Sequence, residues 1–336
     1  MARATIVDVA RLANVSTSTV SHVINGTRYV SDEKRNQVLA AVEMTGYRQD
    51  SVARALRRAR TDSIGLIVSS VSQTVFGDMI RGVEEEAVKA GYTLLLANSA
   101  EDGARESASL HALVARKVDG LIVAPAARSP WRDIDALGQA GVPVVIMDRA
   151  SKARTDMVGV ENTDPMRQLT DHVIAHGHTK IALATGDMKV STISERARGF
   201  TQAMAAAGLD APPEYMITGS GLADEVRHQV TALLKSPGAP TAVISTSTES
   251  AIGTLDAIDA MGLRIPGDIA FATFDGFAHP DLFRPRITTI TQPAFEIGQA
   301  AMRLLLDRLS TTPPARSRTL RLPPRIVYRE SCGCPS

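Results

Sequence analysis

The first sixty residues set short apolar stripes against polar faces at helical spacing. Val9, Ala10 and Ala13 recur at i, i+1 and i+4, and Val20, Val23 and Ile24 give the next stretch a matching stripe, so two mutually packed helices are predicted. Asn14, Val15 and Ser16 form the turn between them, with Ser16 placed to cap a second helix that begins near Thr17. A third helix is expected over Asp32 to Thr45, with Val38, Leu39 and Val42 turned inward and Gly46-Tyr47 ending it. The polar side of the second helix carries Thr17, Ser18, Ser21 and His22, short or flat groups able to reach base edges or phosphates. Taken alone, the same pattern also fits an ordinary helical hairpin. Residues 51–58, SVARALRR, are too polar for a core helix and too short to be stable alone, so they should fold only when held.

From Ser63 the period changes to short apolar runs alternating with amphipathic stretches. Strands are expected at 63–70, 92–99, 119–125, 143–149, 180–186, 241–247 and 268–275. Crossover helices are expected in MIRGVEEEAVKA, ESASLHALVARK, RGFTQAMAAAG and AIGTLDAIDAMG. This alternation predicts parallel sheets with helices on both faces. The stretch is too long for one core, so two α/β lobes are the natural division.

Charge sharpens the picture of the head. The chain as a whole carries a formal +1, but through residue 60 there are ten Lys/Arg against five Asp/Glu, while the remainder holds 27 against 31. A basic head on a mildly acidic body is the electrostatic footprint of a phosphate-binding module. The N-terminus has no apolar core of an export signal, and no run approaches a membrane span, so a cytoplasmic, nucleoid-associated protein without membrane contact is expected. The two cysteines, Cys332 and Cys334, lie in a terminal CGC; they are poorly spaced for a disulfide, and with no Cys or His companions a zinc site is not expected. Reduced surface thiols, no metal and no cofactor are therefore the expectation. A nicotinamide enzyme is disfavoured because Gly219-Ser220-Gly221 lacks the third glycine of the fingerprint, and an exported solute-binding protein fails on the basic head.

TIVDVARLANVS, TVSHVINGT, GYRQDSVARALR and the terminal RESCG resemble the lactose/galactose repressor family of bacterial transcription regulators, the form STSTVSHVIN being most similar to its ribose and purine repressor members. The resemblance implies a helix-turn-helix DNA-binding domain over 1–50, a hinge helix and linker over 51–61, and an effector-binding and dimerisation core over 62–336. That core would have the two-lobed type I periplasmic-binding-protein fold, two doubly wound parallel sheets joined by three crossings. Lobe one would take about 62–160 and 292–320, lobe two about 161–291 and 321–332. Thr17, Ser18 and His22 would read the major groove, with Ser16 and Thr19 near phosphates. Leu56 would wedge into the minor groove and kink the duplex, flanked by Arg54 and Arg57; a flexible basic linker is the plainer alternative.

By the same resemblance, Asp148, Thr192, Arg196, Ser247 and Asp275 would contact a small-molecule effector. Phe76, Arg149 and Glu249 join them because ligands of doubly wound sheets sit beyond the carboxyl ends of the strands. Carboxylates with a guanidinium fork suit hydroxyl-rich ligands. Plainer roles are open too: Asp148 closing a turn, Asp275 capping a loop, Arg196 pairing with Glu195 at the surface. The chain departs from the family at Gln73-Thr74-Val75-Phe76, Ser247-Thr248, Glu161-Asn162 and Gly276, and its aromatic complement for a flat base is weak. A sugar, sugar acid or polyol is favoured over a purine. The whole is expected to be a non-enzymatic, homodimeric repressor that reads a pseudo-palindromic operator and answers to its effector.

Overall fold

The structure is a computed structural model that describes residues 4–26, 28–47, 60–277 and 282–334. The chain divides into two compact units, Met1–Thr61 and Asp62–Ser336.

In the first unit α1 (Ile6–Leu12) opens with a capping box, Thr5 accepting from the Asp8 amide while the Asp8 carboxylate accepts from Thr5. The turn that follows holds Asn14 at φ 50° and delivers the chain to α2 (Thr17–Asn25), capped by Ser16. The third helix, α3 (Asp32–Thr45), ends on Gly46 at φ 61°, the left-handed position glycine tolerates without penalty. Val9, Ala10, Ala13, Val20, Val38 and Ala41 close the core, with Val23, Ile24 and Val42 packed against it. Leu39 is the exception to the predicted stripe: it is half exposed, and Ala41 takes the inward position, because 38, 41 and 42 share a helical face that 39 does not. Arg54, Leu56 and Arg57 lie outside the described residues.

The second unit has two sheets. Lobe one contains β1 (Ser63–Val68), β2 (Thr93–Asn98), β3 (Gly120–Val123), β4 (Val144–Asp148), β5 (Asp156–Val160) and β11 (Thr319–Leu322), in the order β11-β5-β4-β3-β1-β2, all parallel. Lobe two contains β6 (Ile181–Ala184), β7 (Met216–Ile217), β8 (Ala242–Ser245), β9 (Ala270–Phe274), β10 (Thr288–Thr291) and β12 (Arg325–Val327), in the order β12-β10-β9-β8-β6-β7. Among the described residues only the β10–β12 pair is antiparallel. Around the sheets lie α4 (Thr74–Lys89), α5 (Gly103–Ala115), α6 (Trp131–Gln139), α7 (Thr163–Ala175), α8 (Ser191–Ala206), α9 (Ala223–Leu234), α10 (Thr248–Ala260) and α11 (Ala294–Leu309). The buried strands are continuous apolar runs, as sheets covered on both faces require.

The chain changes sheets between Val160 and Thr163, again between Thr291 and Ala294, and a third time through Pro323-Pro324, which join β11 to β12. Two conformationally restricted residues thus hold the last crossing. Buried Asp156 ties β5 to α11 and β11 by accepting from Arg308 at 2.6 and 3.0 Å and from Arg318 at 2.8 Å. Helix pairs close on glycine: a Cβ on Gly82 would stand 2.1 Å from the Phe295 carbonyl, and one on Gly298 the same distance from the Met79 carbonyl, so α4 and α11 cross backbone to backbone. No helix among the described residues is long and apolar enough to cross a membrane.

The expectation of companionless surface thiols is overturned. Cys332 is fully buried with its sulfur beside His172 of α7, and the Cys334 sulfur lies beside both His172 and His176, the residue that caps α7, far away in sequence. A short 3-10 turn, Glu330–Cys332, brings them there, anchored by the Ser331 hydroxyl donating to the Phe271 carbonyl and by Glu330 accepting from Arg286.

Candidate functional site

At the start of α2 the Ser16 hydroxyl accepts from the Thr19 amide at 3.1 Å and lies 2.7 Å from Ser18 Oγ and 2.8 Å from Thr19 Oγ1. Thr17 and Ser18 are exposed, while His22 is half-buried one turn further on. No acidic residue stands in this first turn. The positive end of the helix dipole and its free amides are therefore unopposed, which favours an anion.

Beyond the carboxyl ends of the strands, the two lobes of the second unit enclose a cleft of about 580 Å³. Its floor is Arg196, only 3 % exposed. The guanidinium lies 3.6 Å from the Phe274 ring centroid, and Nε donates to the Asn162 side-chain oxygen at 2.8 Å. Nη1 donates to the Thr246 carbonyl at 2.7 Å and to Asp275 at 3.0 Å. Nη2 takes no part in these bonds and leaves two donors for a ligand. Asn162 sits at the first crossing and also donates to the Val160 carbonyl and to Glu195, so Arg196 is wired to the strand leaving lobe one.

The carboxylates opposite are held in unusual backbone. Asp148 ends β4 at φ 70° and Asp275 follows β9 at φ 65°, left-handed positions that aspartate tolerates better than most residues. Asp275 also accepts from the Gln292 amide, whose own oxygen is buried without a partner among the described residues. Burial pushes the Asp148 carboxyl above its usual range; Arg149 and Arg196 offset part of that, and Asp275 adds to it.

Asp148, Arg149, Thr192, Arg196, Ser247, Glu249 and Asp275 all line this cleft. Phe76 does not: it is 1 % exposed and packs in the hydrophobic core, because α4 begins at Thr74 and its first turn rotates Phe76 inward while Gln73 and Val75 face the cavity. Arg149 is occupied by a two-pronged pair with Glu101, at 2.7 and 2.8 Å, and by the Pro125 carbonyl at 3.0 Å. Ser247 doubles as the cap of α10, exchanging bonds with Ser250. Arg196 is no surface partner of Glu195, which pairs instead with Arg321 of β11 at 2.9 Å. Glu101, Asn162 and Gln292 were missed from the sequence, although Glu101 follows the second predicted strand and obeys the same strand-end rule. A larger hollow of about 1270 Å³, bordered by Trp131 and Arg316, lacks such convergence, since its Arg308 is held by Asp156.

Residues 5–50 match the model of the bacterial regulatory proteins of the lacI family, and residues 170–332 match a periplasmic binding protein-like domain. The chain is 36 % identical over 332 residues to the HTH-type transcriptional repressor PurR of Klebsiella pneumoniae (strain 342), covering 98 % of this chain and 96 % of that one. Among solved structures, the lac repressor dimer bound to operator and the anti-inducer ONPF superposes with a TM-score of 0.86 at 25 % identity, over 98 % of this chain and 99 % of that one. A putative ribose operon repressor from Burkholderia thailandensis superposes at 0.72 with 32 % identity, over 80 % of this chain and 99 % of that one. With a helix-turn-helix unit and a two-lobed cleft on one chain, and these relatives along its whole length, the protein belongs to the lacI family of bacterial regulatory proteins and is a non-enzymatic transcriptional repressor with an effector-binding domain.

Proposed function

We propose that the protein is a homodimer that reads a pseudo-palindromic operator through α2 of each protomer and is controlled by a hydroxyl-rich effector, a sugar, sugar acid or polyol, bound in the cleft. Thr17, Ser18 and His22 contact base edges, Ser16 and Thr19 stand near phosphates, Leu56 acts at the minor groove, and Arg54 and Arg57 make backbone or groove contacts. The observation that carries the effector reading is the buried Arg196 with two donors to spare, set beside Asp275, Asp148 and the unpartnered Gln292 oxygen. Vicinal hydroxyls need such alternating donors and acceptors, and the described lining residues include no aromatic ring for stacking a flat base. Effector contact with Arg196 would pull on Asn162 at the first crossing, which gives the cleft a direct mechanical route to the other lobe.

A thermal-shift screen of sugars, sugar acids, polyols and purines tests this, because a ligand that binds the folded state raises the melting temperature by mass action. A hydroxyl-rich hit is expected, and Arg196→Ala should abolish both the shift and the effector response while leaving effector-free operator binding intact. A second reading, a purine-type corepressor-dependent regulator, is favoured by the full-length similarity to PurR. A purine hit and no sugar hit would replace the first reading by the second.

A further inference from the structure

The C-terminal end of α7 gathers soft and borderline ligand atoms that neither the cleft nor the DNA-binding unit uses. His172 lies in the last turn of that helix and His176 caps it. His172 Nε2 is 3.3 Å from Cys332 Sγ and 3.2 Å from Cys334 Sγ, the two sulfurs are 3.4 Å apart, and Cys334 Sγ is 3.6 Å from His176 Nε2. The donor atoms of His172, His176 and Cys334 all fall within 4.8 Å of one another. Around a zinc ion, with Zn–S of about 2.3 Å and Zn–N of about 2.0–2.1 Å, tetrahedral ligand atoms stand roughly 3.3–3.8 Å apart. The pairs His172–Cys332, His172–Cys334, Cys332–Cys334 and Cys334–His176 stand near that spacing, while Cys332 lies outside the mutual group of His172, His176 and Cys334, so a small shift of its sulfur toward His176 would complete the tetrahedron. A sulfur separation of 3.4 Å is far beyond a disulfide bond, and both cysteines are free.

The surroundings favour ligation. His176 Nδ1 donates to the His172 carbonyl at 2.9 Å, which fixes the tautomer with Nε2 free to give its lone pair. Tyr328 stacks on the His172 ring at 4.0 Å between centroids and holds its orientation. Thr288 Oγ1 lies 3.0 Å from Cys332 Sγ, donating to the Arg329 carbonyl at 3.0 Å and accepting from the Arg329 amide, which holds it against the sulfur. Gly333 between the cysteines has φ 94°, which folds the CGC turn back on itself. The negative end of the α7 dipole adds a cation-favouring field. None of the four residues lines the cleft; Asn162 lies ten residues away at the other end of α7, about 15 Å along the helix.

We propose that Cys332, Cys334, His172 and His176 form a Cys2His2 site for a thiophilic, tetrahedral divalent cation, Zn(II) being the best match, which clamps the C-terminal turn to α7. Each thiol gives its proton to solvent as its sulfur bonds to the metal. With four protein ligands the site is closed, so it is a structural clamp. It joins the segment after the third crossing to the helix after the first, both within lobe two.

The test uses the untagged full-length chain, stripped with chelator under reductant and titrated with Co(II), then Zn(II). One equivalent of Co(II) should give intense tetrahedral visible bands and a thiolate-to-cobalt charge-transfer band, both erased by one equivalent of Zn(II). Cys334→Ser should weaken the charge-transfer band, since one of its two thiolates is gone. His176→Gln, at an exposed position, should keep its chelator-treated melting temperature yet bind at least about tenfold more weakly, since even outer-shell losses cost roughly 10–100-fold. The proposal is overturned by no saturable uptake, by the pale spectrum of a six-coordinate ion, or by unchanged affinity in His176→Gln.

Discussion

Asp148 shows how one residue can be costly to the fold and useful to the site. It is 6 % exposed, ends a strand in left-handed backbone, and faces the like charge of Asp275. Its carboxyl is raised mainly by burial, so the folded state holds the proton more tightly than the unfolded chain, and stability falls as pH rises from the unfolded value through the folded one. Asp148→Asn should therefore melt higher than the parent at neutral pH, and the gain should disappear in acid, where the parent is protonated too. The same variant should respond more weakly to effector. Paired melts across pH check the sign; an advantage that persisted in acid would mean that charge is not the cause. The strand-end rule made Asp148 and Asp275 legible in the sequence, whereas Arg196, inside α8, came from the family resemblance. It could not tell that Arg149 is taken by Glu101 or that Phe76 turns inward, because those depend on side-chain direction and partners.

At the level of elements, the continuous apolar strands were legible and the short or edge strands were not. GLIV, VVIMD, AVIS and AFATF are buried on both faces and announce themselves. By contrast β7 is two residues long, and β11 and β12 carry arginines on exposed edges, so their identity comes from the neighbours they pair with. The α4–α11 crossing is another product of packing. In an exposed helix Gly→Ala gains about 1 kcal/mol, but at Gly298 the new methyl would meet the Met79 carbonyl at 2.1 Å. Overpacking costs typically about 1–3 kcal/mol, so the contact outweighs the propensity. Gly298→Ala should lower the urea midpoint without a change in slope, and a variant as stable as the parent would show that the helices separate at little cost.

For the whole molecule, regulation requires that effector and operator sites be coupled, and coupling between binding sites is reciprocal. If effector changes operator affinity by some factor, saturating operator DNA must change effector affinity by the same factor. Two titrations, each with and without the other ligand, check this equality at one fixed salt concentration, because phosphate contacts make operator affinity steeply salt-dependent. Unequal factors would mean that the two ligands act on different species. By itself the sequence determined the helix-turn-helix unit with its caps, the basic bias of the head, the alternation that makes two parallel sheets, and the strand ends from which the cleft is drawn. These follow from local periodicity, capping chemistry and charge, all carried within a few residues. Only the tertiary structure decided which strand ends face each other, that Arg196 is buried against Phe274 and tied to Asn162, and that the terminal cysteines meet His172 of α7 and His176 at its cap. Those contacts join segments dozens to more than a hundred residues apart, and no local pattern encodes a distance between them.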